Sequence, residues 1–290
     1  MNDSEALSPQ TISPTVGRRW LAQEIKRLRE AAGLKQSDVA KRLRCNPAKI
    51  AHIESMRNAV SGPDLEVMLP FLGVPSERVD WYLQLADIAK EKGWWDGNRA
   101  IPEWFSLYIG LEWGASEIRA WDLGFIPGLL QTRTYAESLI NDPDFTMSAK
   151  PRQQVDARLQ RQGALHRDTD ALSLHAIVDE SVLWRFQGDG TVLNEQVKHL
   201  IEMCDHPQVV FQVMPFNAGP GRGHLGSFKW LGFPRANDPG VVYVENQRGC
   251  LYLEEPDEIT QFNADFDHLS EHALTTHDSK RLLIELLKGG

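Results

Sequence analysis

Residues 18–58 read RRWLAQEIKRLREAAGLKQSDVAKRLRCNPAKIAHIESMRN. In the first part of this stretch, apolar side chains recur at steps of four, three and four, at Leu21, Ile25, Leu28 and Ala32. This spacing predicts a helix over residues 18–32 with one apolar face. Gly33 follows at the position where a left-handed residue commonly ends a helix.

Two shorter helices are predicted after Gly33. The first covers residues 36–43, and the second begins at Asn46–Pro47, because asparagine is a favoured N-cap and proline suits the first helical position. Ile50 and Ile53 are the inward anchors of the second short helix. Two short helices joined by about three residues, behind a longer one, form the helix-turn-helix arrangement, in which the last helix enters the major groove of DNA.

The outer face of the last helix supplies the candidate base contacts. Lys49 is suited to donate to guanine O6 or N7, and the Ala48 methyl group to touch a thymine methyl. The predicted base-contacting residues are Pro47, Ala48, Lys49 and His52. The predicted phosphate contacts, which hold the protein on the duplex without reading sequence, are Gln36, Arg57, Asn58, Arg18 and Arg19.

This stretch resembles the Xre and lambda-repressor type of helix-turn-helix. The residues that carry the resemblance are Gln36, Val39–Ala40, Ile50 and Ile53–Glu54. The resemblance implies an internal ion pair between Arg29 and Glu54, with a structural role. Two positions depart from the pattern: Arg44 stands where glycine is usual, and Lys35 stands where a serine or threonine cap is commoner.

The charge distribution supports a nucleic-acid partner. Residues 17–60 hold 11 Lys/Arg and 4 Asp/Glu, a net charge of +7, although the whole chain carries −9 and the remainder therefore −16. An acidic protein that concentrates positive charge on its smallest module has the electrostatic footprint of a polyanion binder. The alternative is a solvated basic helix pair that binds no nucleic acid.

Composition indicates a globular protein outside the membrane. Hydrophobic residues make up 42% and charged residues 24% of the 290 positions, which is ordinary for a soluble domain. We find no run of 18 apolar residues, so no membrane partner is expected. Three scattered cysteines do not form a disulfide framework, which favours a reducing, cytoplasmic location. The acidic, Ser/Pro-rich residues 1–16 predict a disordered lead-in and not a signal peptide.

After the lead-in, the pattern of apolar and turn-forming residues divides the chain into three further parts. Residues 17–92 form the helix-turn-helix head with two additional helices, and residues 93–101 form a hinge where Gly and Trp interrupt the periodicity. Residues 102–290 mix helices and strands, and four short β-rich runs near the end predict an antiparallel meander, over 209–214, 226–233, 241–245 and 250–254. The predicted fold class is mainly α with α+β: a lambda-repressor-like head, then an α+β domain with a small, largely antiparallel sheet.

The second region also resembles a known family. The segments that carry the resemblance are FIPGLLQTRTYAESLI, ARLQRQGAL, VDESVLWR, VMPFNAGPGRGHLGSF and ALTTHDSKRLL. They are similar to the C-terminal domain of unassigned function in actinobacterial regulators of the WhiJ-like kind, where it follows an Xre-type head. The resemblance implies a transcriptional regulator, sometimes paired with a small partner protein in an antitoxin-like arrangement. It implies neither a ligand nor a reaction.

We find no catalytic, metal or cofactor motif in the second region. The glycine-rich residues 218–226 contain Arg222 and His224 but lack the Gly-Lys-Ser/Thr ending of a phosphate loop, so a flexible connection that touches a ligand is favoured. His268 and His272 share one helical face, which we interpret as solvated and not as a metal site. The sequence therefore predicts a protein that is not an enzyme and that has no cofactor.

Tryptophan is concentrated at the hinge and just after it. Five of the nine tryptophans lie within 28 residues, at Trp94, Trp95, Trp104, Trp113 and Trp121. They are either core and interdomain packing or, with Arg222 and His224, the lining of a pocket for a small-molecule effector. Such an effector would need different affinities for two arrangements of the head.

The sequence predicts a DNA-binding transcriptional regulator that acts as a homodimer on double-stranded DNA. The second region would sense a ligand or a partner. The alternative is an antitoxin-like interaction module that binds a small partner protein, with DNA binding serving autoregulation.

Overall fold

The computed structural model describes residues 12–141, 151–184, 190–219 and 221–289. The chain splits into two compact units, Met1–Gly97, here called the head, and Asn98–Gly290, here called the body. The split falls within residues 93–101, and each unit is described by itself.

The described part of the head contains five helices. They are α1 (Pro14–Ala31), α2 (Gln36–Leu43), α3 (Pro47–Glu54), α4 (Gly62–Phe71) and α5 (Ser76–Lys90). Their core is built from buried aliphatic and aromatic side chains on every helix, among them Trp20, Ile25, Val39, Ile50, Leu65 and Leu85. The predicted helical head is confirmed.

The first helix begins earlier than predicted. The Ser13 hydroxyl accepts a hydrogen bond from the Val16 amide at 3.2 Å, Pro14 follows at the first helical position, and Val16 is buried. The predicted disordered lead-in over residues 1–16 is therefore wrong for residues 14–16; residues 1–11 lie outside the described residues. Ser-Pro acts here as an N-cap and helix start, although the same residue types also mark disorder.

The two helix-turn-helix elements match their predicted bounds. Asn46 caps α3, because its Oδ1 accepts from the Ala48 amide at 2.9 Å. Gly33 (φ 68°) and Arg44 (φ 53°) are both left-handed, as the turns require. At the start of α2 the Asp38 carboxylate accepts from the Lys35 amide at 2.9 Å, so the cap comes from within the helix.

The body is built on a mixed sheet. Six strands lie within its described residues: β1 (Glu117–Asp122), β2 (Ser173–Asp179), β3 (Val209–Met214), β4 (Phe228–Gly232), β5 (Val241–Asn246) and β6 (Gly249–Leu253). Their order is β3-β2-β1-β4-β5-β6. The pairs β3–β2 and β2–β1 are parallel, whereas β1–β4, β4–β5 and β5–β6 are antiparallel. The predicted α+β class is confirmed.

One strand of the predicted meander is wrong. Residues 209–214 pair in parallel with β2 through a helical crossover and do not join the antiparallel strands. The sequence VVFQVM is a nearly continuous apolar run, as expected of a strand covered on both faces. Such a run does not indicate whether the neighbouring strands are parallel or antiparallel. Because it lies just before the hairpins in the chain, the antiparallel strands were predicted as its partners.

Helices cover both faces of the sheet. The body helices are α6 (Glu103–Gly114), α7 (Arg133–Asn141), α8 (Pro151–Arg161), α9 (Ser181–Trp184), α10 (Gly190–Met203), α11 (Pro256–His272) and α12 (Thr276–Gly289). On one face α11 packs Phe266 and Leu269 against Trp121 and Phe228. On the other face, α6 places Tyr108 4.4 Å from the Tyr243 ring, centroid to centroid. Over the described ranges, no helix is both long and apolar enough to cross a membrane.

Candidate nucleic-acid interface

A largely buried ion pair fixes the helix-turn-helix. The Arg29 guanidinium donates to both carboxylate oxygens of Glu54, with Nε–Oε1 2.6 Å and Nη2–Oε2 2.9 Å, and also donates to the Leu34 carbonyl at 3.0 Å. Gln36 Nε2 donates to the same Glu54 carboxylate at 2.8 Å. Glu54 therefore ties the end of α3 to both α1 and the start of α2. The implied Arg29–Glu54 pair is confirmed.

The start of α3 presents a free outer face. Pro47 and Ala48 are exposed, and Lys49 and His52 are partly exposed on the next turn, while Ile50 and Ile53 are buried. The helix therefore offers small groups at its first turn and longer polar groups behind them. This is the geometry in which a recognition helix contacts base edges with its amino-terminal residues.

Lys49 is held by a carboxylate that the sequence reasoning did not single out. Its ammonium lies 2.9 Å from Asp64 Oδ1 and 2.8 Å from Oδ2, and Ser61 Oγ donates to Asp64 Oδ2 at 2.5 Å. Burial opposes ionisation of Asp64, but the bonds from Lys49 and Ser61 outweigh burial and lower the pKa of Asp64. The ionised Asp64 thus positions the group predicted to read guanine.

A local signal for Asp64 exists in the sequence. Ser61 and Asp64 are three residues apart at a helix start, and the Asp64 amide donates to Ser61 Oγ at 3.3 Å. This is the serine-first spacing of a capping box. The helix-turn-helix stretch of residues 18–58 ends before this serine, so the acidic residue beside the recognition helix was missed.

The structure separates the predicted phosphate contacts into two groups. Arg57 and Asn58 are exposed just past α3, where a phosphate contact is sterically open. Gln36 is engaged with Glu54, and a phosphate role for it stays a prediction. Arg18 donates to the Ala89 carbonyl at 3.2 Å, and Arg19 is 0% exposed. The phosphate assignment of Arg19 is wrong, and that of Arg18 is not supported, because α1 begins before them and turns both toward α5 and the core.

The predicted aromatic pocket is not assembled by the body. Trp121 is buried on the α11 face of the sheet, and its indole donates to the Gly223 carbonyl at 2.7 Å. Trp104 and Trp113 lie on α6, which packs on the opposite face. In the head, Trp94 and Trp95 pack edge to face at 5.7 Å. Trp104, Trp113 and Trp121 therefore do not line one pocket within the body, and the side chains of Arg222 and His224 lie outside the described residues.

Comparison with known families assigns both units. The model of a helix-turn-helix domain family matches residues 20–81. The model of a family described as a domain of unknown function, DUF5753, matches residues 105–285, which is more than half of the chain. The chain belongs to the DUF5753 family. No curated protein and no solved structure matches it.

The two matches correspond to the two units. The helix-turn-helix match begins inside α1 and ends inside α5, so it contains α2, α3 and the Arg29–Glu54 pair. The DUF5753 match begins inside α6 and ends inside α12, so it contains the whole described sheet. A DNA-binding module therefore precedes a DUF5753 domain.

Among the described residues of the DUF5753 domain, three side chains on α11 could together hold a metal ion. His268, Glu271 and His272 are exposed on α11, and their ligand atoms all lie within 4.8 Å of one another. His272 Nδ1 is also 2.8 Å from the His268 carbonyl oxygen, which occupies that ring nitrogen. The shared face of the two histidines is confirmed, and the interpretation as a solvated face stays a prediction.

Proposed function

We propose that this protein is a sequence-specific DNA-binding transcriptional regulator. The observation that carries the proposal is the capped, outward-facing start of α3, with Ala48 exposed and Lys49 held beside it by Asp64. The net charge of +7 over residues 17–60 supports it.

The finer parts of the proposal concern assembly and regulation. The protein acts as a homodimer whose two heads contact half-sites about 34–36 Å apart, and the body senses a ligand or a partner. It is an Xre-type, WhiJ-like regulator of the actinobacterial kind, located in the cytoplasm, and its body is not catalytic. The segments that support this assignment lie mostly within the DUF5753 match.

Lys49→Ala tests the predicted base contact. Because a bidentate base contact discriminates by about 1–3 kcal/mol, we expect cognate DNA to be bound about tenfold or more weakly, with a smaller loss on random DNA. Fluorescence anisotropy on both DNAs at matched salt measures this difference. An equal loss on both would reassign Lys49 to the backbone.

Arg57→Ala is the matched control for that measurement. Arg57 is exposed just past the end of the same helix and is predicted to contact phosphate. Its loss should weaken both DNAs equally and reduce the slope of log affinity against log salt by about 1.

Asp64→Asn tests how Lys49 is controlled. Removing the carboxylate frees the Lys49 ammonium and removes a negative charge beside the DNA, so affinity for random DNA should rise by a few fold at low salt. Cognate affinity should rise less, so the specificity ratio falls. Glu66→Gln removes one charge from an exposed position on the same helix and should leave the ratio unchanged. A ratio that stays constant in Asp64→Asn would remove Asp64 from the recognition apparatus.

A second candidate function is binding of a partner protein by the body. Large apolar side chains are exposed after the parallel strands: Phe216 is 65% and Leu225 is 92% exposed, and Trp184 is also exposed. Glu180 connects two of them, because it accepts from the Phe216 amide at 2.9 Å and from the Trp184 indole at 3.4 Å. Exposed apolar groups held in place favour an interaction surface. Co-purification of a small protein in stoichiometric amount, lost in Phe216→Ser, would support this candidate.

A further inference from the structure

The carboxyl end of β1 is a place where charged groups gather inside the body. β1 has parallel β2 on one side and antiparallel β4 on the other, so the chain order reverses at β1. In open α/β sheets, ligands bind outside the carboxyl ends of the strands at such a reversal. Asp122 is the last residue of β1 and occupies this position.

Asp122 is incompletely paired. Its Oδ2 is buried and lacks a hydrogen-bond partner, and its Oδ1 lies 3.7 Å from the Lys229 ammonium, which is too long for a hydrogen bond. Burial raises the pKa of Asp122, against the lowering effect of Lys229. An unmet buried acceptor costs free energy unless a donor arrives. A hydrogen bond to Asp122 Oδ2 therefore requires an N–H or O–H donor that the described residues do not supply.

Arg158 lies near the segment that follows β1, and its charge is unpaired. Its Nη1 donates to Gln131 Oε1 at 2.7 Å, and Gln131 Nε2 donates to the Ile126 carbonyl at 2.6 Å. The Ile126 amide in turn donates to the Tyr135 hydroxyl at 3.3 Å. Ile126 lies four residues past Asp122. The pKa of Tyr135 is raised mainly by burial, and Arg158 and Asp122 are both close enough to act on it, Arg158 lowering and Asp122 raising it, so both charged groups lie near Tyr135. Within the described ranges, no carboxylate lies at ion-pair distance from Arg158.

Two further charges border this group. Lys229 lies on the same sheet face as Asp122, because it pairs in register with Ala120 on β1 and with Tyr243 on β5. Glu245 is exposed and accepts from the Tyr243 hydroxyl at 3.1 Å, so it stands at the solvent-facing rim. The four groups, called here the switch-point cluster (Asp122, Arg158, Lys229 and Glu245), carry two positive and two negative charges.

A ligand that completes this cluster must offer both signs of charge. A carboxylate would pair with the Arg158 guanidinium in a charge-assisted, forked contact, and an ammonium group would satisfy Asp122 Oδ2 with Glu245 at the rim. A ligand without net charge leaves the net charge of the cluster unchanged. An anion alone would leave the two carboxylates without a partner, and a cation alone would leave the two positive groups without one. We propose that the switch-point cluster binds a small zwitterion of the α-amino-acid class.

The switch-point cluster would be the site at which the body senses an effector, and its role in regulation rests on that proposed function. The binding step itself uses groups of the body alone. Ligand binding can therefore be measured in the absence of DNA. A protein that does not bind the ligand is then distinguishable from one that does not recognise DNA.

The test uses the full-length protein and the twenty proteinogenic L-amino acids, each added singly in a thermal-shift measurement. A ligand that binds only the folded state raises the melting temperature, so at least one amino acid should do so. Its N-acetylated form and its amide form, which each lack one charge, should not. The proposal is overturned if none of the twenty raises the melting temperature, or if the blocked forms act equally well.

Variants locate the site by titration calorimetry. Asp122→Asn and Arg158→Gln each remove one charge-assisted contact and should weaken binding of the active amino acid by about tenfold or more, and Arg158→Lys should restore part of the loss. Arg152→Gln changes an exposed arginine on the same helix and should bind as the unaltered protein does. Undiminished binding in both Asp122→Asn and Arg158→Gln would overturn the assignment.

The ligand-free variants give an independent readout. Since the pKa of Asp122 is raised by burial, its ionised form is less favourable in the folded than in the unfolded state. Asp122→Asn should therefore leave the melting temperature unchanged or higher in the absence of ligand, while it loses the ligand-induced rise. A large fall in the melting temperature without ligand would mean that Asp122 is a structural group and would overturn its role as a binding residue.

Discussion

Glu112→Gln is expected to destabilise the body by about 3–5 kcal/mol. The Arg161 guanidinium donates to both Glu112 oxygens, at 2.6 and 2.7 Å, and the two side chains are only 5% and 2% exposed. Burial disfavours the charged form of Arg161, but Glu112 outweighs burial and raises the pKa of Arg161. Without Glu112 the guanidinium stays charged and buried, stacked near the Phe105 ring at 5.0 Å. The link between α6 and α8 is then weakened, because glutamine keeps one acceptor oxygen but carries no charge.

Hydrogen exchange followed by mass spectrometry measures this effect where it occurs. Amides of α6 and α8 should lose protection, whereas amides of α1–α3 serve as an internal reference within the same molecule. Glu117→Gln is the matched control, because Glu117 pairs with Arg119 at a partly exposed site, with side-chain exposures of 40% and 28%, and exposed pairs contribute about 1 kcal/mol or less. Equal effects of the two substitutions would contradict a structural role for the Glu112–Arg161 pair.

Glu54→Ala is expected to destabilise the head by about 3 kcal/mol or more and to abolish specific DNA binding. Glu54 is the shared acceptor of Arg29 and Gln36, so its loss leaves a largely buried guanidinium without its main partner. Hydrogen bonding to Glu54 outweighs the opposing effect of burial and raises the pKa of Arg29. Once that contact is gone, α3 is no longer fixed against α1 and α2.

Exchange protection of α1–α3 and anisotropy on cognate DNA measure both parts of this prediction. Glu30→Ala is the control, because Glu30 also contacts Arg29 at 3.2 Å, but its side chain is 55% exposed. Its loss should change stability by less than about 1 kcal/mol. Full protection together with wild-type DNA affinity in Glu54→Ala would show that the ion pair does not position the recognition helix.

The head was predictable because its signals are local. The Asn46–Pro47 start of α3, the left-handed Gly33 and the apolar spacing of α1 each require only neighbouring residues. The Arg29–Glu54 pair joins residues 25 positions apart and came only from a family resemblance. The burial of Arg19 was missed because its charge favoured an exposed phosphate contact. The earlier start of α1 turns the Arg19 side chain into the core.

The body was predictable in its elements but not in their arrangement. Four of the six described strands were predicted from β-rich runs, yet the parallel pairing of β3 with β2 depends on a crossover that no local pattern encodes. Trp121 illustrates the same limit: its neighbours in sequence suggested a shared pocket, but the alternation along β1 places it on the α11 face. The switch-point cluster joins residues from β1, α8, β4 and β5, so only the tertiary structure brings it together.

The most direct test of the central claim is binding of the purified protein to the DNA upstream of its own gene, compared with random DNA across a salt series. A specific regulator should prefer the upstream region by about 10³-fold or more at physiological salt, and footprinting should show half-sites about 34–36 Å apart. Equal binding of both DNAs that disappears as salt rises would contradict sequence-specific recognition by α3.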